Sequence, residues 1–283
     1  MHDNKDHFFF LDGEWLKTDE TQTTLQHPNL SHGSGVFENL RAYRTENDLS
    51  IFKAEEHYKR LVATAKSISL PLSYSPEQLL QLTYKLLQKN KLKNASIQAL
   101  IYIDEKNVSH FLLTAQVCNE LDEYKNLKLS TLPYDQGFPL GISLVGTNTS
   151  STLAKQQARH QGFDDVLFVN QKGYVNQGTA TLFYERDQVL YTSSLKNLFP
   201  EVARSTILEL CQLLEIDCIE QDFTPEEVKD ADGAFWVSTI NGIENIASLD
   251  TVDFKLEWAE SLGHQLFRAH QRIALEITPP CVF

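Results

Sequence analysis

The stretch that decides the fold reads GSGVFENLRAY, from Gly33 to Tyr43. Two glycines lead into a segment in which apolar and polar side chains alternate, and this alternation predicts a β-strand. A helix is predicted soon after it, from Ala54 to about Ile68, because its apolar side chains recur at helical spacing. The same spacing leaves His57, Arg60 and Thr64 on another face of that helix.

Elements on both sides of this strand and helix complete a first domain. Phe8 to Leu11 precedes Asp12-Gly13, a pair that supplies the positive φ of a tight turn and so predicts a hairpin. A second helix is predicted near Pro76 to Gln88, and strands near Ser96 to Ile103 and His110 to Val117. We expect a mainly antiparallel sheet in a domain of roughly 120 residues, which is a common domain size.

Prolines and glycines concentrate between Leu132 and Gly141, which favours a linker there. The predicted organisation is a small α/β domain over residues 1–125, an interdomain linker over 126–141 and a larger α/β domain over 142–283. The fold class is therefore α/β, in the α+β sense, with two domains.

The second part of the chain also mixes helix and strand patterns. A helix is predicted from about Ser150 to Gln161, and Gly162 suits its left-handed end. Thr224 has the sequence context of a helix cap, and a buried strand is predicted from Phe235 to Ser238. Two hairpins are predicted between these helices: Val166 to Val169 with Tyr174 to Asn176, and Leu182 to Glu185 with Val189 to Thr192.

Composition excludes several classes of partner. The chain has 283 residues, 42% of them hydrophobic, and a formal net charge of −13. Nucleic acid and anionic membrane surfaces attract clusters of lysine and arginine, which this chain lacks. The charged N-terminus does not resemble a signal peptide, and no stretch approaches the ~20 apolar residues that span a bilayer. These features predict a cytoplasmic protein without nucleic-acid or membrane partners.

Metal sites and disulfides have little support in the pattern. The nine histidines show no HxxH or HExxH spacing. The cysteines have no CxxC spacing and are interpreted as buried free thiols: Cys118, Cys211, Cys218 and Cys281.

The order of these segments resembles the class IV pyridoxal-phosphate aminotransferases, which include branched-chain and D-amino-acid aminotransferases and aminodeoxychorismate lyases. The resemblance runs in order over about residues 8 to 250, which no single short motif could produce by chance. The matching segments are Gly33 to Tyr43, Glu56 to Leu61, Gly162 to Leu167, Gly173 to Gly178, Leu190 to Thr192, Pro200 to Arg204, Ala231-Asp232 and Phe235 to Thr239.

The resemblance implies two domains that enclose pyridoxal phosphate, in an enzyme that is usually a homodimer. It also implies that Arg60, in the segment EHYKRL, corresponds to the family arginine that grips the cofactor phosphate. A guanidinium can bind a phosphate through two charge-assisted hydrogen bonds, so Arg60 is a candidate site for a small anion. The alternative interpretation is a surface salt bridge.

The lysine that the resemblance requires is missing. In the family this lysine bonds to the cofactor and moves the proton, and its position falls at Leu144 or, with a different anchor, at Val145. No lysine occurs between Lys128 and Lys155. Lys155 itself matches a helix position and is interpreted as a solvated helix residue.

Two further parts of the implied cofactor site are altered. Gln177 stands where the family has a glutamate that keeps the pyridine nitrogen protonated, and an amide lacks the charge for that task. The implied phosphate-binding turn reads Glu201-Val202-Ala203, in which a carboxylate replaces a glycine and a methyl replaces a hydroxyl. Thr239 could supply a hydroxyl, although a threonine in a strand is equally ordinary.

Arg41 and Tyr43 lie on the strand whose family counterparts face the substrate. The alternative is that they form the solvated side of a half-buried strand. We treat both interpretations as open.

Three functions are compatible with these residues. The first is a noncatalytic or repurposed family member that binds a small molecule or a protein partner, with no covalently bound cofactor. The second is an active pyridoxal-phosphate enzyme of unusual design, either an aminotransferase or an aminodeoxychorismate lyase. The third is a fold reused for cofactor-independent chemistry, because fold alone does not fix function. The sequence favours the first and third over the second, and in each case we expect a homodimer.

Overall fold

A computed structural model describes residues 7–18, 35–46, 48–104, 106–118, 124–133, 145–176, 180–194 and 201–275, with only the backbone for 48 and 145–150. The chain divides into two compact units, Met1–Glu120 with Ile142–Asn148, and Leu121–Gly141 with Thr149–Phe283. Within the described ranges, no helix combines the length and the apolar character of a membrane-crossing segment.

The first unit contains an antiparallel sheet and two helices. Its elements are β1 Phe8–Leu11, β2 Glu14–Lys17, β3 Gly35–Thr45, β4 Asp48–Ile51, α1 Ala54–Ser67, α2 Pro76–Asn90, β5 Ala95–Ile103 and β6 Ser109–Val117. The strand order is β2-β1-β6-β5-β3-β4, and every neighbouring pair is antiparallel. The predicted antiparallel sheet is therefore confirmed.

Local residue chemistry explains where these elements begin and turn. Asp12 and Gly13 have φ values of 48° and 101°, the left-handed conformations that a two-residue hairpin turn requires. The helix α2 begins after Ser75, whose side chain and that of Gln78 each accept a hydrogen bond from the other residue's backbone N–H. This reciprocal cap and Pro76 fix the start of the helix.

The predicted faces of α1 are wrong at one residue. His57 was expected away from the buried face, but only 1% of its surface is exposed. Its ring forms a hydrogen bond with Glu38 on β3, so a buried polar partner offsets the loss of hydration.

The second unit contains most of the remaining elements. They are β7 Asn126–Pro133, β8 Asp165–Val169, β9 Thr181–Arg186, β10 Val189–Thr192, α4 Val202–Leu213, β11 Cys218–Glu220, α5 Pro225–Lys229, β12 Gly233–Ser238, β13 Gly242–Leu249, β14 Val252–Asp253, a 3-10 turn Trp258–Glu260 and α6 Leu262–Ala274. The helix α3, Val145–His160, spans the division between the units.

The sheet of the second unit is mixed. Its order is β11-β10-β9-β12-β13-β7-β8, with β14 beside β13. The pairs β10–β11, β7–β13 and β7–β8 are parallel, and the other pairs are antiparallel. The predicted hairpin of β9 and β10 and the predicted strand β12 are confirmed.

Both faces of the central strands in this sheet are buried. Tyr184 and Trp236 pack in one cluster of apolar side chains, whereas Phe183 and Phe235 pack in another with the side chains of α4 and α6. Burial of one such side chain contributes roughly 1.5–3 kcal/mol. Two buried faces explain why these strands read as nearly continuous apolar runs.

Three predictions for this part of the chain need correction. Residues 126–133 were assigned to a linker, but they form β7 between β13 and β8, while 134–141 lie outside the described residues. Leu127 and Leu129 are buried in the alternating pattern of a strand. The prolines and glycines that begin at the end of β7 led to the assignment of this segment to a linker. The helix α3 begins at Val145 rather than Ser150, and the predicted strand 174–176 is a single bridge between Val169 and Val175.

Candidate functional site

A buried carboxylate lies between two basic side chains in the first unit. Glu38, on β3, is 3% exposed and accepts two hydrogen bonds from the Arg60 guanidinium, Nε to Oε2 and Nη2 to Oε1, both at 2.7 Å. His57 Nδ1 donates to Oε1 at 3.0 Å, since an ionised carboxylate can only accept. The two parallel bonds from Arg60 are the strong bidentate kind.

The charge of Glu38 is maintained by these partners. Burial alone would raise the pKa of its carboxyl, but hydrogen bonds and charge from His57 and Arg60 outweigh burial and hold this pKa below its usual value. Glu38 therefore carries a negative charge at neutral pH and balances much of the positive charge of Arg60. The Arg60 side chain remains 24% exposed, so part of it can still meet a ligand.

Both interpretations of Arg60 keep some support. An ion pair is present, as the alternative required, but its acid is buried rather than at the surface. The guanidinium is also held in one orientation, which an anion site requires, but an incoming anion would have to share it with Glu38.

Arg41 and Tyr43 lie on the opposite face of β3 from Glu38, because side chains alternate along a strand and β3 pairs regularly with β5. Both side chains are buried, so the interpretation of a solvated strand face is wrong. The Arg41 guanidinium lies 5.3 Å from the centre of the Tyr43 ring. Burial raises the pKa of the Tyr43 hydroxyl, which keeps it neutral.

The implied phosphate turn forms the start of α4 in the second unit. Val202 and Ala203 are the first helical residues, and both are buried. Glu201 precedes them in extended conformation, and its side chain does not cap the helix. Its Oε2 instead accepts a hydrogen bond from the hydroxyl of Thr181 at 2.9 Å. The positive end of the helix dipole therefore has a carboxylate beside it.

Thr239 lies near the same end of the second sheet. It was expected in a strand, but it lies in the turn between β12 and β13, and it is half-buried. Thr181 is the register partner of Val237, two residues before Thr239. Because Glu201 accepts a hydrogen bond from Thr181, the start of α4 and this turn lie at one end of the sheet.

The structure does not describe in full the position of the missing lysine, at Leu144 or Val145, or that of Gln177. Leu144 and Gln177 lie outside the described residues, and Val145 is the first residue of α3, with only its backbone described.

Lys155 has a structural role in the second unit. Its ammonium forms an ion pair with Asp165, the buried first residue of β8. Burial raises the pKa of the nearby Glu244 carboxyl, and the charges of Lys155 and Asp165 also act on this carboxyl. The interpretation of Lys155 as merely solvated is therefore wrong, since an ion pair orients its amine toward β8.

Among the residues that the structure describes, no group of histidine, cysteine, aspartate and glutamate has the arrangement of a metal site. Sequence reasoning overlooked Glu38 and Thr181, which bind the predicted site residues. A signal for Glu38 was present: it shares the strand parity of Val36 and Leu40, both buried. An acidic side chain on the buried face of a strand usually has a basic partner. No comparable signal marks Thr181, whose role depends on the fold.

A family model described as amino-transferase class IV matches residues 35–249. Curated relatives match over most of their length. The branched-chain-amino-acid aminotransferase of Pseudomonas aeruginosa is 26% identical over 265 residues, covering 87% of this chain and 86% of that protein. A probable branched-chain-amino-acid aminotransferase of Aquifex aeolicus is 23% identical over 262 residues, covering 86% of this chain and 84% of that protein.

Solved structures share the fold. The branched-chain aminotransferase of Thermoproteus uzoniensis, solved with norvaline, has a TM-score of 0.88 and 25% identity, with 95% of each chain covered. A T.th. branched-chain amino acid aminotransferase, solved with pyridoxamine 5'-phosphate, has a TM-score of 0.89 and 22% identity, over 97% of this chain and 96% of that chain. These matches confirm the predicted two-domain α/β fold.

Proposed function

Because the chain belongs to the class IV aminotransferase family, we propose that it is a member in which small-anion binding persists without the lysine-dependent reaction. It acts as a noncatalytic or repurposed binding protein, or uses the fold for chemistry that needs no cofactor. One observation carries this proposal: no lysine occurs between Lys128 and Lys155, where the family pattern places the reactive amine.

The described residues do not fit covalently held pyridoxal phosphate. Lys155, at one end of the lysine-free stretch, is engaged by Asp165. Arg60 is already paired with Glu38, and Glu201 places a negative charge where a phosphate would approach α4. Two like charges within a few ångströms repel one another, and burial strengthens that repulsion. A non-covalently bound anion with less charge than a phosphate dianion would be repelled less by Glu201.

A second function is transamination of branched-chain amino acids with pyridoxal phosphate. The names of the curated relatives support it, as do solved relatives of the same fold that contain pyridoxamine 5'-phosphate or norvaline. By family likeness alone, this function is better supported than the first. It requires an amine from outside the lysine-free stretch.

One experiment separates the two functions. Purified protein would be incubated with pyridoxal phosphate, then assayed with leucine, isoleucine or valine and a 2-oxo acid acceptor. The first function predicts no turnover above a heat-denatured control and, after borohydride reduction, no stoichiometric label on one lysine. Turnover with a label on one lysine would establish the second function and reject the first.

Anion binding is tested separately from turnover. Equilibrium titration with acetate, a monoanion, and with inorganic phosphate would compare the wild type with Arg60→Lys and Arg44→Lys. Lysine keeps the charge but loses the planar two-point geometry. We expect weaker binding only in Arg60→Lys, because Arg44 is exposed at the end of β3. Equal affinity in both variants would remove Arg60 from the proposed site.

We further propose a cytoplasmic homodimer. The dimer rests on the family resemblance, and the compartment rests on the absence of an apolar span from the given sequence. Light scattering at micromolar concentration tests the assembly, and a monomeric mass would contradict it.

A further inference from the structure

His110, on β6, lies between two carboxylates at one end of the first sheet. Its Nδ1 lies 2.5 Å from Oδ2 of Asp12, in the turn between β1 and β2. Its Nε2 lies 3.3 Å from Oδ2 of Asp104, in the turn between β5 and β6. The His110 side chain is 25% exposed, so its ring can exchange protons with solvent. One imidazole therefore joins two separate turns.

Each aspartate uses its other oxygen to bind backbone N–H groups. Asp12 Oδ1 accepts a hydrogen bond from the N–H of Phe111 at 2.7 Å. Asp104 Oδ1 accepts from the N–H groups of Lys106 and Val108, at 2.9 and 2.8 Å. The contact with the ring orients each carboxylate, so the backbone hydrogen bonds of both turns depend in part on His110.

Two tyrosines complete the described surroundings of His110. The Tyr102 ring, on β5, stacks on the imidazole with ring centres 5.1 Å apart. Tyr74 lies in the segment between α1 and α2, near Asp12. Burial and the negative charge of Asp12 raise the pKa of both hydroxyls, and Asp104 adds to this effect at Tyr102. Both tyrosines are therefore neutral, and Asp12 and Asp104 supply the charge that acts on the ring.

The protonation state of the ring decides whether both carboxylates can be bound. An ionised carboxylate only accepts, whereas an imidazolium donates from both nitrogens and a neutral imidazole donates from one. A neutral His110 would place a lone pair against one of the two acids. Burial opposes the charged ring, but hydrogen bonds and charge from Asp12 and Asp104 outweigh burial and raise the pKa of His110 above its usual value of 6.5.

We propose that His110 is a pH-sensitive switch that fixes the β5–β6 turn when its ring is protonated and releases this turn when the ring is neutral. The neutral ring keeps its proton on Nδ1, because the contact with Asp12 is the shorter of the two. Nε2 then becomes an acceptor, and Asp104 moves away from it.

The direction of the pH dependence follows from the position of the pKa. A group whose pKa is raised on folding contributes its full stabilisation below the unfolded pKa, and this contribution is lost as the pH rises through the folded pKa. The turn is therefore fixed below pH 6.5 and is released as the pH rises through the folded pKa of His110.

Residue-resolved amide hydrogen exchange tests the switch, from about pH 6 to about pH 9, with each rate divided by that of an unstructured peptide. In the wild type, we expect the amides of Lys106 and Val108 to lose protection roughly two- to fivefold as the pH rises, the range for an exposed ion pair. The amide of Phe111 is the internal control, because its acceptor Asp12 stays bound to the ring. Constant protection at Lys106 and Val108, or an equal loss at Phe111, would overturn the proposal.

Asp104→Asn separates the charge of this residue from its shape. The amide oxygen can still accept from the backbone N–H groups, and the amide nitrogen can donate to Nε2 of a neutral His110. We therefore expect this variant to keep the turn protected at high pH. His160→Gln, an exposed position near the end of α3, is the control and should keep the wild-type profile. A loss of protection in Asp104→Asn equal to that of the wild type would show that another group causes the change.

Titration of the ring by NMR tests the wild-type protein directly. With carbon-13-labelled histidine, the His110 signal is assigned by its absence from the spectrum of His110→Gln. We expect its midpoint above 6.5 in the wild type and at a lower pH in Asp104→Asn. A wild-type midpoint at or below 6.5 would mean that the two carboxylates do not hold the proton, and the switch would be rejected.

Discussion

Glu38 in the first unit and Glu201 in the second both lie beside a group that attracts anions, yet their partners differ. Glu38 is buried and bonded to Arg60 and His57, so its negative charge is matched by a cation. Glu201 lies at the start of α4, and its carboxylate is bonded to the neutral hydroxyl of Thr181.

The comparison separates a buried charge in a bidentate ion pair from a charge at the start of a helix. Removal of Glu38 would leave the Arg60 guanidinium and the buried His57 imidazole without their shared acceptor. Loss of one partner from a buried ion pair is destabilising, because the remaining charge is no longer compensated. Removal of Glu201 would take away the acceptor of the Thr181 hydroxyl, and it would remove a negative charge from the start of α4, where the helix dipole attracts anions. We therefore expect substitutions at Glu38 to affect stability, and substitutions at Glu201 to affect binding.

The largest expected effect is that of Glu38→Ala. Loss of the carboxylate should lower the free energy of unfolding by about 2–4 kcal/mol, because Arg60 and His57 lose their shared acceptor. Urea denaturation followed by circular dichroism measures the change. Glu55→Gln is the matched control, since its pair with Lys59 is 63% exposed on each side and should have no resolvable effect. A small effect at Glu38 would show that the pair is not tightly held.

The pH dependence of stability should identify the same carboxylate. The pKa of Glu38 is lower in the folded state than in the unfolded state, so its stabilising contribution is fully present above the unfolded pKa. This contribution should be lost as the pH falls from the unfolded value, near 4.5, through the folded value. Urea midpoints measured across the acidic range in wild type and Glu38→Gln test this expectation. Parallel profiles would contradict the assignment, whereas a flatter profile in the variant supports it.

An intermediate effect is expected for His57→Gln. The amide can still donate to Glu38 but cannot carry charge and fills the buried space less well, so we expect a loss of about 1–2 kcal/mol. Thermal unfolding provides the measurement. His160→Gln, an exposed position near the end of α3, is the control. An effect as large as that of Glu38→Ala would indicate that His57, rather than Arg60, is the main partner of the acid.

The smallest effect on stability is expected for Glu201→Ser. A serine at this position can cap α4 and offset the lost bond to Thr181, so stability should stay within about 1 kcal/mol of the wild type. Inorganic phosphate should raise Tm more in this variant than in the wild type, because a like charge has been removed. Sodium chloride at equal ionic strength controls for screening. Equal phosphate effects in both proteins would exclude the start of α4 as an anion site.

Several features were predictable because their causes are local. The turn at Asp12-Gly13, the cap at Thr224 and the helix α2 follow from residues that act within a few positions of one another. The absence of lysine from residues 129–154 is a property of the sequence alone. The ordered series of segments was also sufficient to predict a fold that solved relatives share at a TM-score of 0.88.

Other features depend on residues that are distant in sequence. Thr131 on β7 bonds to Asp250, 119 positions away, so no local pattern could identify that segment as a central strand instead of a linker. The pairing of Glu38 with Arg60 likewise required α1 to pack on β3. Sequence specifies which charges and apolar surfaces exist, whereas tertiary packing selects which of them meet, because burial makes an unpaired charge too costly to leave alone.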